Sequence, residues 1–256
     1  GTPGDMVTTL QKPSTIPEGT QRLYDLLKFK PTGPEQEAVL ACRKRFEGIT
    51  GGEGAGKSYL AAKIWLGRWL TDQDYAVEMK TGYGDGQGPP LLYWLVGDDY
   101  GQVSEEFNFI KLDLEDIVGA EALHVTARVD PGYIEMKVPG DRQPRLRIDT
   151  KSAKDPTKIS RQRPHGLILC EPGQVDVGIW DRCNGRVGGL KGWLLLVGTL
   201  EGSIGWYPQM MTVWRSGYGD RQSFKLPSWT NLYYYPGGRN DPEILRLEAE
   251  SSDAYF

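Results

Sequence analysis

The chain has 256 residues, with 30 Lys and Arg against 34 Asp and Glu, a formal net charge of −4. That length buries a full α/β core, and the weakly negative balance excludes a general basic coat, so any polyanion contact must come from a local patch. A hydrophobic fraction of 39% is globular, no apolar run approaches a membrane span, and three scattered cysteines (Cys42, Cys170, Cys183) make neither a disulfide framework nor a zinc site.

Residues 1–20 read as a polar arm lacking the apolar stretch of a secretory signal, which points to a reducing, cytoplasmic setting. A helix is predicted from Thr20 to Phe29, with Leu23, Leu26 and Leu27 facing a core. Pro31-Thr32-Gly33-Pro34 opens a second helix through Glu35, Gln36, Val39 and Leu40. Phe46 to Thr50 is a short run entering a glycine cluster, and Ser58 to Leu70 is a strong helical pattern. Residues 79–90 form a glycine-rich loop before a buried strand, Leu91–Val96, and a helix from about Gln102 to Leu114. Tyr133–Val138 and Arg145–Ile148 pair as a hairpin around Pro139-Gly140-Asp141. Gly166–Cys170 and Trp193–Val197 are continuous apolar runs, suited to central strands covered on both faces. Beyond residue 215 the pattern is irregular and aromatic until a charged helix from Asp241 to about Glu250. Strands alternating with helices point to an α/β domain with a mostly parallel sheet.

Gly51-Gly52-Glu53-Gly54-Ala55-Gly56-Lys57-Ser58 matches the Walker A pattern G-x-x-x-x-G-K-[ST] in full, between a predicted strand and a predicted helix. Its glycines let consecutive backbone N–H groups turn around an anion. Lys57 brings a point charge to the β- and γ-phosphates, the Ser58 hydroxyl can ligate Mg²⁺, and the helix N-terminus adds partial positive charge. This is a nucleotide-binding phosphate loop.

Such a loop needs a carboxylate at the end of a neighbouring strand to hold Mg²⁺ and another to orient the attacking water. Asp98 and Asp99 follow one apolar strand, but Gly97 interrupts it. Glu171 follows the uninterrupted run Leu167–Cys170 and is preferred, either as the Mg²⁺-side acid or as the catalytic base. Asp98-Asp99-Tyr100-Gly101 also fits D-x-x-G, yet no Asn-Lys-x-Asp guanine-reading motif follows, which argues against a GTPase.

In order along the chain, these motifs resemble those of the large terminase subunits of tailed bacteriophages, motors that pump DNA into procapsids. Phe29-Lys30-Pro31-Thr32 followed by Gln36 is similar to the adenine-binding segment. Leu95–Tyr100 with Gln102 resembles the strand and turn after the loop helix, and Ser152-Ala153-Lys154-Asp155-Pro156 through Arg161 the loop leading to the acidic strand. Leu196–Gly202 with Gly205-Trp206-Tyr207 resembles the coupling motif, and Leu226–Asn231 with Asp241–Ile244 the stretch before the nuclease domain.

The resemblance implies an additional-strand P-loop ATPase with a small C-terminal lid-like subdomain. Its parts would be an arm at 1–28, a core at 29–215, and a lid or linker at 216–256 preceding a nuclease domain absent from this sequence. It further implies ATP and Mg²⁺ as cofactors, Gln36 at the base, and Thr199 sensing the γ-phosphate beside Glu171. Double-stranded DNA, a homo-oligomeric ring, a portal protein and a small terminase subunit would be the partners, in the host cytoplasm and away from membranes. Two departures stand out: Glu53 where the family often carries Arg, and Cys170-Glu171 where an Asp-Glu pair is usual.

Charge developing on the γ-phosphate calls for a guanidinium. Arg161 is favoured as a finger acting on a neighbouring subunit, with Arg163, Arg128 and Arg45 as other candidates; a solvated or DNA-contacting loop is the plainer reading of Arg161 and Arg163. Arg142, Arg145, Arg147, Lys151, Lys154 and Lys158 form the one basic segment. Two rival functions fit the same residues: another P-loop enzyme, such as a helicase-like ATPase or small-molecule kinase, and a nucleotide-binding interaction module with little hydrolysis.

Overall fold

The computed structural model describes residues 15–200 and 205–250, so residues 1–14 of the expected arm and Glu201-Gly202 of the coupling motif lie outside it. In chain order the elements are α1 (Glu18–Leu26), α2 (Pro34–Ala41), β1 (Phe46–Gly51), α3 (Lys57–Glu78), β2 (Leu91–Gly97), α4 (Ser104–Val118), β3 (Leu123–Val125), β4 (Tyr133–Met136) and β5 (Leu146–Ser152). There follow β6 (Gly166–Cys170), α5 (Val177–Gly188), β7 (Trp193–Gly198), α6 (Trp206–Arg215), β8 (Arg221–Leu226) and α7 (Pro242–Glu250). The strands form one sheet in the order β3-β4-β5-β2-β6-β7-β1-β8, parallel from β5 to β8 and antiparallel through β3-β4-β5.

The central strands carry side chains of period two onto two separate cores. Ile168 and Cys170 of β6, with Leu195 and Val197 of β7, join the cluster under α3 and α4. Leu167, Leu169, Leu194 and Leu196 point the other way, into the cluster under α5 and α6. Both faces are therefore covered, which is why these strands read as unbroken apolar runs.

Helix α3 is buried on nearly all sides over its first half, from Leu60 to Trp69, because α1, α2, α4 and the sheet enclose it. The inward face of α1 differs from expectation. Thr20 and Tyr24 are buried whereas Leu26 is 56% exposed, since Thr20 packs against Gly67 and the Tyr24 hydroxyl donates to the Lys63 carbonyl (2.8 Å).

The sequence pattern left three elements unassigned. Helix α5 is broken up by Gly178, Gly185 and Gly188, yet Asp176 caps it by accepting the Gly178 N–H (2.7 Å) and Ile179, Trp180, Cys183 and Val187 face the core. Strand β3 is three residues long. Strand β8 lies in the segment read as irregular: it pairs in parallel with β1, so the boundary expected at 215 does not separate a lid from the sheet. What lies beyond the sheet begins at Pro227.

Candidate active site

The loop between β1 and α3 turns through Gly54 (φ 71°) and Gly56 (φ 78°), a left-handed backbone that strains any residue with a Cβ. Gly56 hands the chain directly to α3, whose first amides and dipole face the loop. The Lys57 ammonium reaches back across the loop to the Gly52 carbonyl (2.8 Å). Burial lowers its pKa, opposed most by the charge of Glu171 and then by those of Glu53, Glu105 and Glu106.

Strand β7 lies between β1 and β6, the arrangement expected of a coupling strand. Glu171 follows β6 with left-handed backbone (φ 48°); its own N–H donates to the Val197 carbonyl (2.8 Å), and its Oε2 accepts the Thr199 N–H (3.2 Å). The structure thus brings together Lys57, Glu171 and Thr199. Behind them the Tyr207 hydroxyl donates to the carbonyls of Ile49 (3.3 Å) and Gly198 (3.5 Å), tying α6 to both strands.

Asp98 and Asp99 stand at the end of β2, three strands or about 14 Å from β1 across the sheet. Lys154 pairs with both (3.5 and 3.2 Å) and holds the Asp99 carboxyl below its ordinary range. Glu171 is one strand closer and is the leading carboxylate acting on Lys57.

The arginines separate by edge. Arg45 precedes β1 at the opposite end of the strands from the loop, and its Nε donates to the Gly192 carbonyl (2.7 Å). Arg163 sits at that same edge, beside Gly189, where it lines a cleft with Arg182 and Arg186. Neither reaches the phosphate loop of its own chain. Arg128 follows β3 at the far end of the sheet. Arg161 is exposed, with positive φ (71°), in the connection that crosses the sheet face with Ile159 buried beneath it.

Four of the six basic residues around the hairpin are ion-paired. Arg145 pairs with Asp141 (2.9 Å), Arg147 with Glu135 (2.5 Å) and Asp149 (2.9 Å), and Lys158 with Asp155 (3.1 Å). With Lys154 also paired, Arg142 and Lys151 are the members of that segment without an ion pair among the described residues.

Sequence reasoning missed two sets of residues. One is the turn after β8, which grips the outside of the phosphate loop. Ser228 Oγ donates to the Glu53 carbonyl (2.7 Å), Asn231 Nδ2 donates to the Gly54 carbonyl (2.7 Å), and the Tyr235 hydroxyl lies against Gly54. Thr32 Oγ1 donates to the Thr230 carbonyl (2.6 Å), and Gln36, 5% exposed, accepts the Thr32 N–H (2.9 Å). The expected base-binding segment and the phosphate loop are therefore joined through this turn. The other is Glu106 of α4, whose buried carboxyl lies near the Ser58 hydroxyl and the Cys170 thiol, with burial raising its pKa. An acid in the first turn of a predicted helix gave no sign of this, because the approach of α4 to α3 is a tertiary event.

Among the described residues no group of three or more His, Cys, Asp or Glu is placed to hold a metal by itself. A cation here would draw its ligands from nucleotide oxygens, water, the Ser58 hydroxyl and one or two carboxylates, the usual manner of Mg²⁺. No helix among these residues is long and apolar enough to cross a membrane.

No protein-family model matches the sequence, and no curated protein matches it. Solved structures do match. The large terminase ATPase domain of Thermus phage P74-26 superposes with a TM-score of 0.62 at 17% identity, covering 91% of this chain and 96% of that one. The large terminase of another thermophilic bacteriophage superposes with a TM-score of 0.52 at 11% identity over 95% of this chain, which spans 52% of that protein. A second structure of the same terminase, in complex with ADP, matches with a TM-score of 0.50 at 11% identity over 92% of this chain and 50% of that one. The eight-stranded, mostly parallel sheet flanked by helices is the P-loop fold of the phage large-terminase ATPase domains.

Proposed function

We propose that this chain is the ATP-hydrolysing domain of a phage large terminase, driving double-stranded DNA into a procapsid. The observation that carries the reading is the bond from the Thr199 amide to the Glu171 carboxylate, on adjacent strands, with Lys57 held in the field of the same carboxylate. The loop amides and Lys57 bind the β- and γ-phosphates, and Gln36 with its neighbours meets the base. Ser58 takes the Mg²⁺ that accompanies the nucleotide. Glu171 draws the proton from a water whose oxygen bonds to the γ-phosphorus as the bridge to ADP breaks. Because Thr199 holds that carboxylate from the end of β7, cleavage at the γ-phosphate is felt along β7 and, through Tyr207, in α6.

The absence of an Asn-Lys-x-Asp motif favours adenine, and a thermophilic-phage terminase of the same fold was solved with ADP. The weakly negative net charge suits a domain that works in a ring, with DNA held by a narrow patch and Arg161 offered to the next subunit. Portal protein and small terminase subunit are the partners of such a ring, in the host cytoplasm. The test is ATP turnover by wild type, Lys57→Ala and Glu171→Gln, with product analysis, as protein concentration is raised and with DNA and procapsids added. Release of inorganic phosphate that rises with assembly is expected; transfer of phosphate to an acceptor other than water would refute the reading.

A further inference from the structure

Cys170 ends β6 directly before Glu171, so the strand itself supplies a single acid. Another element fills the place beside it. Glu106 stands in the first turn of α4, 3% exposed, and its Oε2 is buried without a hydrogen-bond partner. A carboxylate oxygen taken out of water and given no donor is strongly unfavourable. Complementing the helix dipole does not account for it, since Glu105 in the same turn does that from an exposed position.

The aim of Glu106 is fixed by packing. Glu106, Ile110, Asp113 and Leu114 share the buried face of α4, and Asp113 binds Lys63 of α3 through both oxygens (2.6 and 2.7 Å). That bond sets the rotation of α4 against the helix that begins at Lys57-Ser58. The packing of α4 on α3 thereby keeps the unpartnered Glu106 carboxylate near the start of α3, close to Ser58 and to Cys170 at the end of β6. A buried neutral thiol is a poor partner for a hard divalent cation, whereas a carboxylate beside a hydroxyl is a good one.

We propose that Glu106 supplies the cation-side carboxylate that Cys170 cannot, ligating the nucleotide's divalent cation with Ser58, directly or through one of its waters, and leaving Glu171 to activate the attacking water. The acidic pair is split between α4 and β6 rather than lying consecutively on one strand. This rests on the nucleotide-site reading above.

The test uses Mn²⁺ titrated into the chain with ADP, followed by the electron-paramagnetic-resonance signal of free Mn²⁺, and fluorescent ADP binding in excess EDTA as the cation-free control. Glu106→Gln is expected to weaken Mn²⁺ binding about tenfold or more, with ADP binding in EDTA unchanged. Glu171→Gln should leave Mn²⁺ affinity within about twofold of wild type. Cys170→Asp added to Glu106→Gln should restore most of the loss, a rescue that a purely structural role for Glu106 would not give. Unchanged Mn²⁺ affinity in Glu106→Gln, or no recovery on adding Cys170→Asp, overturns the proposal. Should Glu106→Gln fail to fold, Glu106→Ala is read by the same criteria. Failure of the nucleotide-site reading looks different: wild type and Lys57→Ala would then bind ADP equally, or not at all.

Discussion

Replacing Asp113 with alanine strips the partner from one of the most enclosed charges in the molecule. Lys63 is 1% exposed, donates to both Asp113 oxygens, and lies under the rings of Tyr59 (4.3 Å) and Phe29 (5.4 Å). Breaking a buried pair from one side costs about 3–5 kcal/mol, whereas a surface pair such as Lys111–Glu115 contributes at most about 1 kcal/mol. Deprotonation sets a ceiling on the penalty. Neutralising a lysine of ordinary pKa 10.5 costs about 5 kcal/mol at pH 7 and about 2 kcal/mol at pH 9.

The sign of the pH dependence follows. Burial already lowers the Lys63 pKa, and without Asp113 it falls further, so the unfolded chain holds more protons than the folded one and stability rises with pH. Asp113→Ala should therefore lose about 3–5 kcal/mol at pH 7 and clearly less at pH 9 in urea titrations followed by tryptophan fluorescence. Lys63→Met with Asp113→Leu, which removes both charges, should stay within about 2 kcal/mol of wild type. A loss below about 1 kcal/mol at pH 7, or one that does not shrink with rising pH, would refute the reasoning.

Asn231→Ala removes a bond to the Gly54 carbonyl and should cost about 0.5–1.5 kcal/mol of stability, with ATP affinity falling several-fold; unchanged affinity would mean the turn does not shape the phosphate loop. Thr199→Ala keeps the amide that holds Glu171, so its turnover should fall far less than that of Glu171→Gln, for which a loss of about 10²–10⁴ is expected in steady-state assays. Burial lowers the His165 pKa to about 4, and its Nδ1 accepts the Leu92 N–H (3.1 Å). The resulting stability is present above pH 6.5 and lost as pH falls towards 4. His165→Asn can keep that acceptor without titrating, so wild type should lose roughly 2–3 kcal/mol more than the variant between pH 7 and 4.5. The comparison must be with the variant because Asp72, raised to about 6 by burial, shifts stability in the opposite direction over part of that range. Equal pH profiles for the two proteins would refute this account of His165.

The phosphate loop, its helix and the strands at 91–97, 166–170 and 193–198 were legible because each is encoded locally. Glycines at fixed offsets, a Lys-Ser pair at a helix start, and apolar runs bounded by turn residues act within a few residues of one another. Strand β7 followed by helix α6 was also legible, through order along the chain. Helix α5 and strand β8 were hidden, the first by glycines inside a helix whose stability comes from packing Trp180 and Cys183, the second by a polar alternation that only pairing with β1 turns into a strand.

For the proposed site, Lys57 and Ser58 as phosphate-side residues and Glu171 as the acid were expectations drawn from residue type and spacing. That Glu171 lies closer to the loop strand than Asp98 and Asp99 was decided by strand order, which places β6 rather than β2 nearer β1. Nor did sequence disclose Glu106, 48 residues beyond Ser58, or Asn231, 177 residues from its partner Gly54. By itself the sequence determined the glycine-rich loop and the helix that it opens, because backbone conformation is set by neighbouring residues. Only the tertiary structure decided which carboxylates and clamps surround it, because those contacts exist once the Lys63–Asp113 bond and the β1–β8 pairing have brought distant segments together.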